Sequence, residues 1–363
     1  MKIPIYQPSL TGKEKQYVND CLDENWISSK GKYISKFELN FSKYVGSKHS
    51  ISVSNGTVAL HLALSALGIE KGDEVLVPSL TYIASVNCIS YTGATPVFVD
   101  SFPDTWQINF EDLEKKITKN TKAIIVVHVY GYPCNMEEIM KIALKYNIKV
   151  IEDCAEALGS KINNIHVGSF GDIATYSFYG NKTITTGEGG MVTTNSQSLY
   201  SMCNRLKTQG LAKNKEYWHD IIGFNYRMTN ICAAIGLAQL HQLDKFLERK
   251  KNLVMKYKHN LQKLPISFLK EERLYENSNW MINILVDNQD IRSKLRNYLE
   301  KNEIETRPMF YPIHTMQIYK NYNQDCKVSE ELSLRGINLP SWPGLNNDQI
   351  NFICNKIKEF YQV

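Results

Sequence analysis

Between about residues 48 and 195, short apolar runs alternate with segments whose apolar positions recur at helical spacing. The short runs predict strands over 49–53, 74–77, 96–99, 123–129 and 149–151. The intervening segments predict helices over 58–67, 83–91, 110–117 and 136–146. The run at 123–129 is continuously apolar, which is typical of a strand buried on both faces. This alternation predicts an α/β fold with a mostly parallel, helix-covered sheet.

After residue 195 the pattern changes. We predict helices over 199–207, 230–243 and 246–264, a strand over 279–286, and helices over 291–300 and 349–361. The helix over 246–264 is rich in Lys and Arg, which favours a solvated face. We therefore predict a large domain over 1–245 with a mixed sheet and a smaller α+β C-terminal domain over 246–363. The first ~25 residues can pack with the smaller domain.

The composition narrows the classes of function. The chain has 363 residues, 43% hydrophobic and 22% charged, as is usual for a globular protein with a large core. A formal net charge of +5 is too small to indicate a nucleic-acid partner, but it is compatible with an anionic small-molecule substrate. No apolar run approaches the ~20 residues of a membrane helix, and the first residues lack the apolar stretch of a signal peptide.

The eight cysteines are scattered, and none forms a Cys-x-x-Cys pair. This spacing predicts neither a structural zinc site nor a redox motif. No His, Cys and carboxylate residues stand at metal-ligand spacing, so we expect no metal. The pattern suits a reducing cytoplasm.

Two segments follow predicted strands. Gly56 and Thr57 precede a helix, where a glycine permits close backbone approach and free N–H groups can bind an anion. A turn with a helix cap is the ordinary alternative. Asp153 and Glu156 stand at the carboxyl end of a strand, where ligands bind in open α/β sheets, although such carboxylates also cap helices.

Two later segments carry a lysine and an amide. Lys182 follows Ser177 in a polar loop and precedes a Gly-rich turn. In a desolvated pocket its pKa would fall enough for a Schiff base, whereas an isolated loop lysine is normally a surface charge. Asn225 and Arg227 precede a helix, which they could cap, or they could reach an anion across a subunit boundary. Together, the four segments provide what pyridoxal 5′-phosphate requires: a phosphate seat, an acid for the ring nitrogen and a lysine for the aldehyde.

Nearly end to end, the sequence resembles the sugar-nucleotide aminotransferases, the DegT-like class of fold-type I pyridoxal-phosphate enzymes. The motifs that carry the resemblance are WISSKG at 26–31, SNGTVALH at 54–61, FYGNKTITTGEGG at 178–190, YWHD at 217–220 and RPMFYPIH at 307–314. The lysine-centred motif is the most specific of these for the class.

The resemblance implies roles for individual residues. Lys182 matches the Schiff-base lysine and Asp153 matches the partner of the pyridine nitrogen. Gly56, Thr57 and Ser177 match the residues that bind the phosphate. Tyr82 matches an aromatic residue that stacks on the cofactor ring. Asn225 matches a residue that reaches the phosphate from a neighbouring subunit. The last match implies a homodimer with shared active sites.

Glu156 matches a position near the cofactor's ring hydroxyl, where many relatives carry glutamine. A carboxylate there would repel the phenolate unless it is protonated or bridged by water. For the substrate, a diphosphate requires cations and a base requires polar and stacking partners. Two groups of residues match these substrate requirements, although a position on the surface or in the core is the alternative interpretation of each. They are Arg307, Tyr311 and His314, and Trp26, Ser28, Ser29 and Lys30.

The implied reaction is transfer of an amino group from L-glutamate to GDP-4-keto-6-deoxy-D-mannose, giving the GDP-linked 4-amino-4,6-dideoxy sugar and 2-oxoglutarate. A UDP- or dTDP-linked 4-keto-6-deoxy sugar is the alternative acceptor. A pyridoxal-phosphate sugar dehydratase and a non-catalytic paralogue are further alternatives. Lys182 and Asp153 disfavour both, because dehydratases of this class carry His at the lysine position and a non-catalytic protein needs neither residue.

Overall fold

A computed structural model describes residues 2–322 and 324–362. The strands are β1 (His49–Val53), β2 (Glu74–Pro78), β3 (Thr95–Val99), β4 (Thr121–Val127), β5 (Lys149–Asp153), β6 (Lys161–Ile162), β7 (Ile165–His166), β8 (Ile173–Ser177), β9 (Gly190–Thr194), β10 (Tyr275–Glu276), β11 (Ile282–Leu285), β12 (Arg307–Pro308) and β13 (Gly336–Leu339). The α-helices are α1 (Glu14–Asp23), α2 (Lys32–Val45), α3 (Gly56–Ala66), α4 (Ala84–Tyr91), α5 (Phe110–Lys115), α6 (Met136–Tyr146), α7 (Gln197–Lys207), α8 (Asn230–Leu240), α9 (Leu243–Leu261), α10 (Gln289–Lys301), α11 (Lys327–Arg335) and α12 (Asn347–Tyr361).

The main sheet has seven strands in the order β1-β9-β8-β5-β4-β2-β3. The pairs from β8 through β5, β4 and β2 to β3 are all parallel. Strand β9 runs antiparallel to both of its neighbours, β8 and β1. The predicted α/β fold with a mostly parallel mixed sheet is therefore confirmed.

Strand β4 explains why its sequence is continuously apolar. Ala123 and Ile125 belong to a core cluster on one face of the sheet, where α3 and α4 pack. Ile124 and Val126 belong to a second cluster on the other face, which includes residues of α2, α6 and α8. Since both faces are covered by helices, neither set of alternating positions can be polar.

The C-terminal region forms a smaller layer. Strands β11, β13 and β12 form an antiparallel sheet, and α9, α10 and α12 enclose a third core cluster with it. Ile3 is buried in this cluster and forms a parallel bridge with Ile304, so the beginning of the described chain lies against the C-terminal region. Helix α9 continues across residue 245, and the domain boundary placed there stays a prediction.

Some elements differ from those predicted. The apolar pattern did not predict α1 and α2, which pack on α8. The Lys-rich helix α9 is largely solvated on one side, but Lys250 is buried, and the solvated-face prediction is wrong for that residue. Its amine donates hydrogen bonds to three backbone carbonyls, which compensate for its lost hydration. Among the described residues, no helix is both long and apolar enough to cross a bilayer.

Candidate active site

A cavity of about 960 Å³ lies at the carboxyl ends of the central parallel strands and extends to the C-terminal region. Ligands bind at this edge in open α/β sheets, because strand ends and the loops after them converge there. Nine of the proposed site residues line the cavity; they are Gly56, Thr57, Tyr82, Asp153, Glu156, Ser177, Lys182, Arg307 and Tyr311. Six others are not among its lining residues; they are Trp26, Ser28, Ser29, Lys30, Asn225 and His314.

One end of the cavity is the beginning of α3. Asn55 caps this helix, since its side chain accepts a hydrogen bond of 3.0 Å from the N–H of Val58. Gly56 lies directly against Ser177, and a Cβ atom at position 56 would come within 2.7 Å of the Ser177 Cβ. This close contact therefore requires glycine, and it brings the N-terminus of α3 next to the Ser177 hydroxyl, two groups that can bind an anion.

Asp153 ends β5 and is buried. Ser85 Oγ donates a hydrogen bond of 2.7 Å to Asp153 Oδ2, and the N–H of Ala155 donates one of 3.0 Å to Oδ1. Burial raises the pKa of the Asp153 carboxyl, whereas these two hydrogen bonds and the nearby Lys182 charge act in the opposite direction. The carboxyl group is thus fixed in orientation before any ligand arrives.

Lys182 lies in the loop that follows β8, and only 12% of its side chain is exposed in the cavity wall. Its Nζ lies 3.9 Å from Glu156 Oε1 and 4.1 Å from the centroid of the Trp280 ring. Its backbone carbonyl accepts a hydrogen bond of 2.6 Å from the Tyr6 hydroxyl. Burial lowers the pKa of Lys182, although the Glu156 and Asp153 carboxylates oppose this shift. The surface-charge alternative therefore does not describe this lysine.

Glu156 is also buried, and its Oε2 accepts a hydrogen bond of 2.7 Å from the N–H of Tyr130. Tyr130 has a φ of 59°, a left-handed conformation that is uncommon for a bulky residue and that occurs where the surrounding structure enforces it. Burial raises the pKa of Glu156 to about 7, although the charge of Lys182 opposes the rise. The protonated form is populated near neutral pH, which removes the repulsion expected between this side chain and a phenolate.

The remaining cavity wall is aromatic and basic. The Tyr82 ring is exposed, and its centroid lies 6.0 Å from that of Phe310. Arg307 Nη2 lies 3.5 Å from Glu305 Oε1, and the Tyr311 ring is exposed. A ligand in the cavity would therefore meet the Arg307 cation and several accessible aromatic rings, in addition to the charged groups of Lys182, Asp153 and Glu156.

The structure places the six other residues elsewhere. Trp26 and Ser28 contact Asn230 through their carbonyl oxygens, and Ser29 and Lys30 belong to the same segment before α2. Asn225 is exposed, and its Oδ1 accepts a hydrogen bond of 3.0 Å from Arg227 Nε. A separate network holds His314, whose ring nitrogens lie 2.6 Å from Ser79 Oγ and 3.1 Å from Glu330 Oε1.

Four side chains at the site were not identified from the sequence: Tyr6, Ser85, Tyr130 and Trp280. Trp280 stands at the beginning of a predicted strand, and Ser85 in a predicted helix, so each has an ordinary structural interpretation. No sequence signal connects them with Lys182 or Asp153, because the contacts join segments far apart in the chain. Only the positive φ of Tyr130 is a recognisable local sign, and it appears in the structure alone.

A buried group of three possible metal ligands, His128, Glu152 and Cys154, lies beneath the site. Its atoms are already engaged: Glu152 accepts backbone hydrogen bonds from three residues of the loop at 168–171, and His128 Nδ1 accepts one from the N–H of Cys134. Burial raises the pKa of Cys154 well above its ordinary value, which disfavours the thiolate that a metal requires. We assign this group a structural role in holding the loop after β7.

The cavity residues fit pyridoxal phosphate. The N-terminus of α3 at Gly56 and Thr57, beside the Ser177 hydroxyl, suits an anionic phosphate. The oriented carboxyl of Asp153 suits a protonated ring nitrogen, and the largely shielded amine of Lys182 suits an aldehyde. All three groups line one cavity.

Comparison with known proteins agrees with this chemistry. The chain is 59% identical over 359 residues to a GDP-perosamine synthase of Escherichia coli O157:H7, an alignment that covers 99% of this chain and 98% of the relative. It is 49% identical to a GDP-perosamine synthase of Vibrio cholerae, with 99% of both chains covered. Among solved structures, the PLP-form of the putative sugar aminotransferase Spr1654 from Streptococcus pneumoniae superposes with a TM-score of 0.94 at 28% identity, covering 100% of this chain and 99% of that one.

A sequence profile of the DegT/DnrJ/EryC1/StrS aminotransferase family matches residues 8–358, nearly the whole chain. The match includes the parallel sheet, the cavity and the C-terminal layer. The chain belongs to the DegT/DnrJ/EryC1/StrS aminotransferase family.

Proposed function

We propose that this protein is a pyridoxal-phosphate-dependent aminotransferase that converts GDP-4-keto-6-deoxy-D-mannose and L-glutamate into GDP-perosamine and 2-oxoglutarate. The observation that carries the proposal is the largely shielded amine of Lys182, which shares one cavity with the oriented carboxyl of Asp153 and the N-terminus of α3 at Gly56. The names of the relatives at 59% and 49% identity support the GDP-linked sugar as the substrate.

When bound, pyridoxal phosphate supplies an electron sink that stabilises negative charge on the carbon beside the amino nitrogen. Gly56, Thr57 and Ser177 would hold its phosphate, and Lys182 would hold its aldehyde. Asp153 would keep the ring nitrogen protonated, because Ser85 and Ala155 orient its carboxyl toward that role. Tyr82 offers an exposed ring for stacking.

Lys182 is the proposed general base and acid. As a free amine, its Nζ takes the proton from the α-carbon of glutamate and later delivers a proton to the sugar carbon that carried the ketone. Burial lowers the pKa of this amine, which favours the neutral form that the first transfer requires. In its ionised form, Glu156, at 3.9 Å, counterbalances the charge once the amine is protonated.

The proposed acceptor contacts within one chain are Arg307 and Tyr311, because both line the cavity near its C-terminal wall. A guanidinium matches the paired oxygens of a diphosphate, and an exposed phenol ring can stack on a base. His314 and the segment from Trp26 to Lys30 do not line the cavity of their own chain. We do not include them among the contacts made within one subunit.

We further propose a homodimer in which Asn225 reaches the phosphate in the partner's cavity. Asn225 is exposed and lies outside the cavity of its own chain. The preceding loop presents unusually exposed apolar side chains, with Tyr217 94% and Ile222 91% exposed. Apolar side chains with this much exposure are available to pack against a partner subunit. The cytoplasm is the proposed compartment, since all eight cysteines are free thiols and seven of them are buried.

The test is a direct assay of purified protein with L-glutamate and a panel of GDP-, UDP- and dTDP-linked 4-keto-6-deoxy sugars, with the product masses measured. We expect conversion of GDP-4-keto-6-deoxy-D-mannose to the amino sugar, with stoichiometric 2-oxoglutarate. Preference for a UDP- or dTDP-linked sugar would refute the proposed substrate but not the reaction. Loss of water from the sugar without amine incorporation would refute the reaction itself.

A further inference from the structure

The indole of Trp280 contacts the lysine loop at two points. Its ring centroid lies 4.1 Å from Lys182 Nζ, and its Nε1–H donates a hydrogen bond of 2.7 Å to the carbonyl of Asn181. Only 4% of Trp280 is exposed. One side chain therefore contacts both the reactive amine and the backbone that immediately precedes it.

Trp280 is itself fixed from several sides. Its carbonyl accepts a hydrogen bond of 3.0 Å from the buried Lys250 amine. Its ring is nearly parallel to that of Tyr130, at 10° and 6.2 Å, and to that of Phe310, at 24° and 6.4 Å. Because neighbours hold both its backbone and its ring, the indole forms a rigid surface for the lysine.

The other groups that face the Lys182 amine are carboxylates. Glu156 Oε1 lies 3.9 Å away, and Asp153 is close enough for its charge to act on the amine. Each favours the ammonium form, as does the face of an indole, whose π electrons attract a cation. Burial acts in the opposite direction. The protonation of the free amine thus depends on a balance in which Trp280 takes part.

We propose that Trp280 is a positioning residue for Lys182: its indole face holds the amine beside Glu156 whenever the amine is not bonded to the cofactor, and stabilises the ammonium form there. This inference rests on the proposed function, since it concerns the free state of a lysine that bonds the cofactor aldehyde. Trp280 lies in the segment just before β11, so a residue of the C-terminal layer contacts the reactive lysine in the loop after β8.

The proposal has a measurable consequence for the empty enzyme. When Lys182 bonds to the aldehyde, a C–N bond forms, the carbonyl oxygen leaves as water, and the amine must first release a proton to solvent. Loss of the indole face would make the ammonium less stable and the neutral amine more abundant at a given pH. A desolvated cation–π contact corresponds to a shift of about one unit in the amine's pKa.

The experiment removes cofactor from the purified protein and follows the rate of pyridoxal 5′-phosphate attachment, by visible absorbance, as a function of pH. For Trp280→Leu we expect the midpoint of the rate profile to move about one pH unit lower. Trp280→Phe retains a ring but loses the indole N–H, and we expect a smaller shift in the same direction. Trp342→Leu is the matched control, because Trp342 is a buried indole of the third core cluster that does not line the cavity.

The outcomes are distinguishable. If Trp280→Leu folds, as judged by thermal unfolding, and attaches cofactor with the wild-type midpoint, the inference is wrong. If Trp280→Leu does not fold, the same pH profile is measured for Trp280→Phe. An unchanged midpoint of the attachment rate in that variant overturns the inference. Equal shifts in Trp280→Leu and Trp342→Leu would also overturn it, because a general loss of packing would then explain both. If the wild-type protein attaches no cofactor, or if Lys182→Ala attaches it equally well, the proposed function fails instead.

Discussion

Lys182 Nζ and Glu156 Oε1 lie 3.9 Å apart inside the cavity, and both side chains are largely shielded from solvent. When an acid and an amine this well shielded lie side by side, the charge of each depends on that of the other. Burial raises the pKa of Glu156 to about 7 and lowers that of Lys182, so the pKa values of the two groups lie closer together than they would in water.

Glu156→Gln should change how stability depends on pH. The folded-state pKa of Glu156 is about 7, against an ordinary value of 4.5, so the folded chain binds the additional proton between these values. The stability that this group contributes is present below about pH 4.5 and is lost as the pH rises through about 7. Relative to wild type, the cofactor-free glutamine variant should gain up to about 3 kcal/mol of unfolding free energy between pH 5 and 8.

Urea unfolding at several pH values measures this difference directly. Glutamine retains an oxygen that can accept the Tyr130 N–H bond, so the variant changes charge and little else. Parallel stability curves for the two proteins would contradict the raised pKa.

Lys182→Ala should abolish transamination and leave the fold intact. The side chain contributes an amine to the cavity, whereas its backbone is held by the Tyr6 hydroxyl regardless of the side chain. Product formation should fall below detection by mass spectrometry, while the circular dichroism spectrum matches that of the wild type. Measurable turnover in this variant would remove Lys182 from its proposed role.

Asp153→Asn should reduce kcat by roughly 100-fold or more, because an amide cannot supply the negative charge that stabilises a protonated ring nitrogen. Ser85→Ala is the matched comparison: it removes one hydrogen bond to the carboxyl and retains its charge. We expect a smaller loss of kcat from Ser85→Ala. Steady-state kinetics on both variants separate the effect of the Asp153 charge from the effect of the orientation of its carboxyl. A near-wild-type rate for Asp153→Asn would exclude Asp153 from the reaction.

Gly56→Ala should weaken cofactor retention and lower stability. The new Cβ would lie 2.7 Å from the Ser177 Cβ, and overpacking of this kind costs about 1–3 kcal/mol. Gly180→Ala is the control for stability, because a Cβ at position 180 meets no atom within 4 Å. Equilibrium dialysis and thermal unfolding give the two quantities, and equal behaviour of the two variants would argue against a phosphate seat at Gly56.

Asn225→Ala should weaken cofactor retention through the partner subunit. In mixed dimers of Asn225→Ala with Lys182→Ala, one cavity keeps its lysine and receives an intact Asn225 from the partner, so part of the activity should return. Neither parent homodimer should match this recovered activity per intact lysine. Purification of the mixed dimer with two different affinity tags permits the measurement. Failure to recover activity, or a monomer by sedimentation, would refute the shared site.

The local pattern of apolar and polar residues was sufficient to predict most strands of the central sheet. The predicted strand over 49–53 and the helix over 136–146 coincide with β1 and α6, since alternating burial and helical periodicity are encoded in adjacent residues. Helices α1 and α2 were not predicted, because they precede the alternating pattern and pack against α8, which is remote from them in the chain. Lys250 shows the same limitation, as its three carbonyl partners belong to segments remote in the chain.

The sequence by itself determined the chemistry: a lysine, an aspartate and a glycine at a helix start, each in a motif that a family shares, and an alternation of strands and helices that is typical of a parallel sheet. The tertiary structure alone decided what surrounds those groups. Trp280 beside Lys182, Ser85 on Asp153 and Tyr130 on Glu156 are contacts between distant segments, and burial there sets proton affinities that no local pattern specifies. The physical reason is that desolvation and orientation belong to the folded cavity rather than to any residue within it.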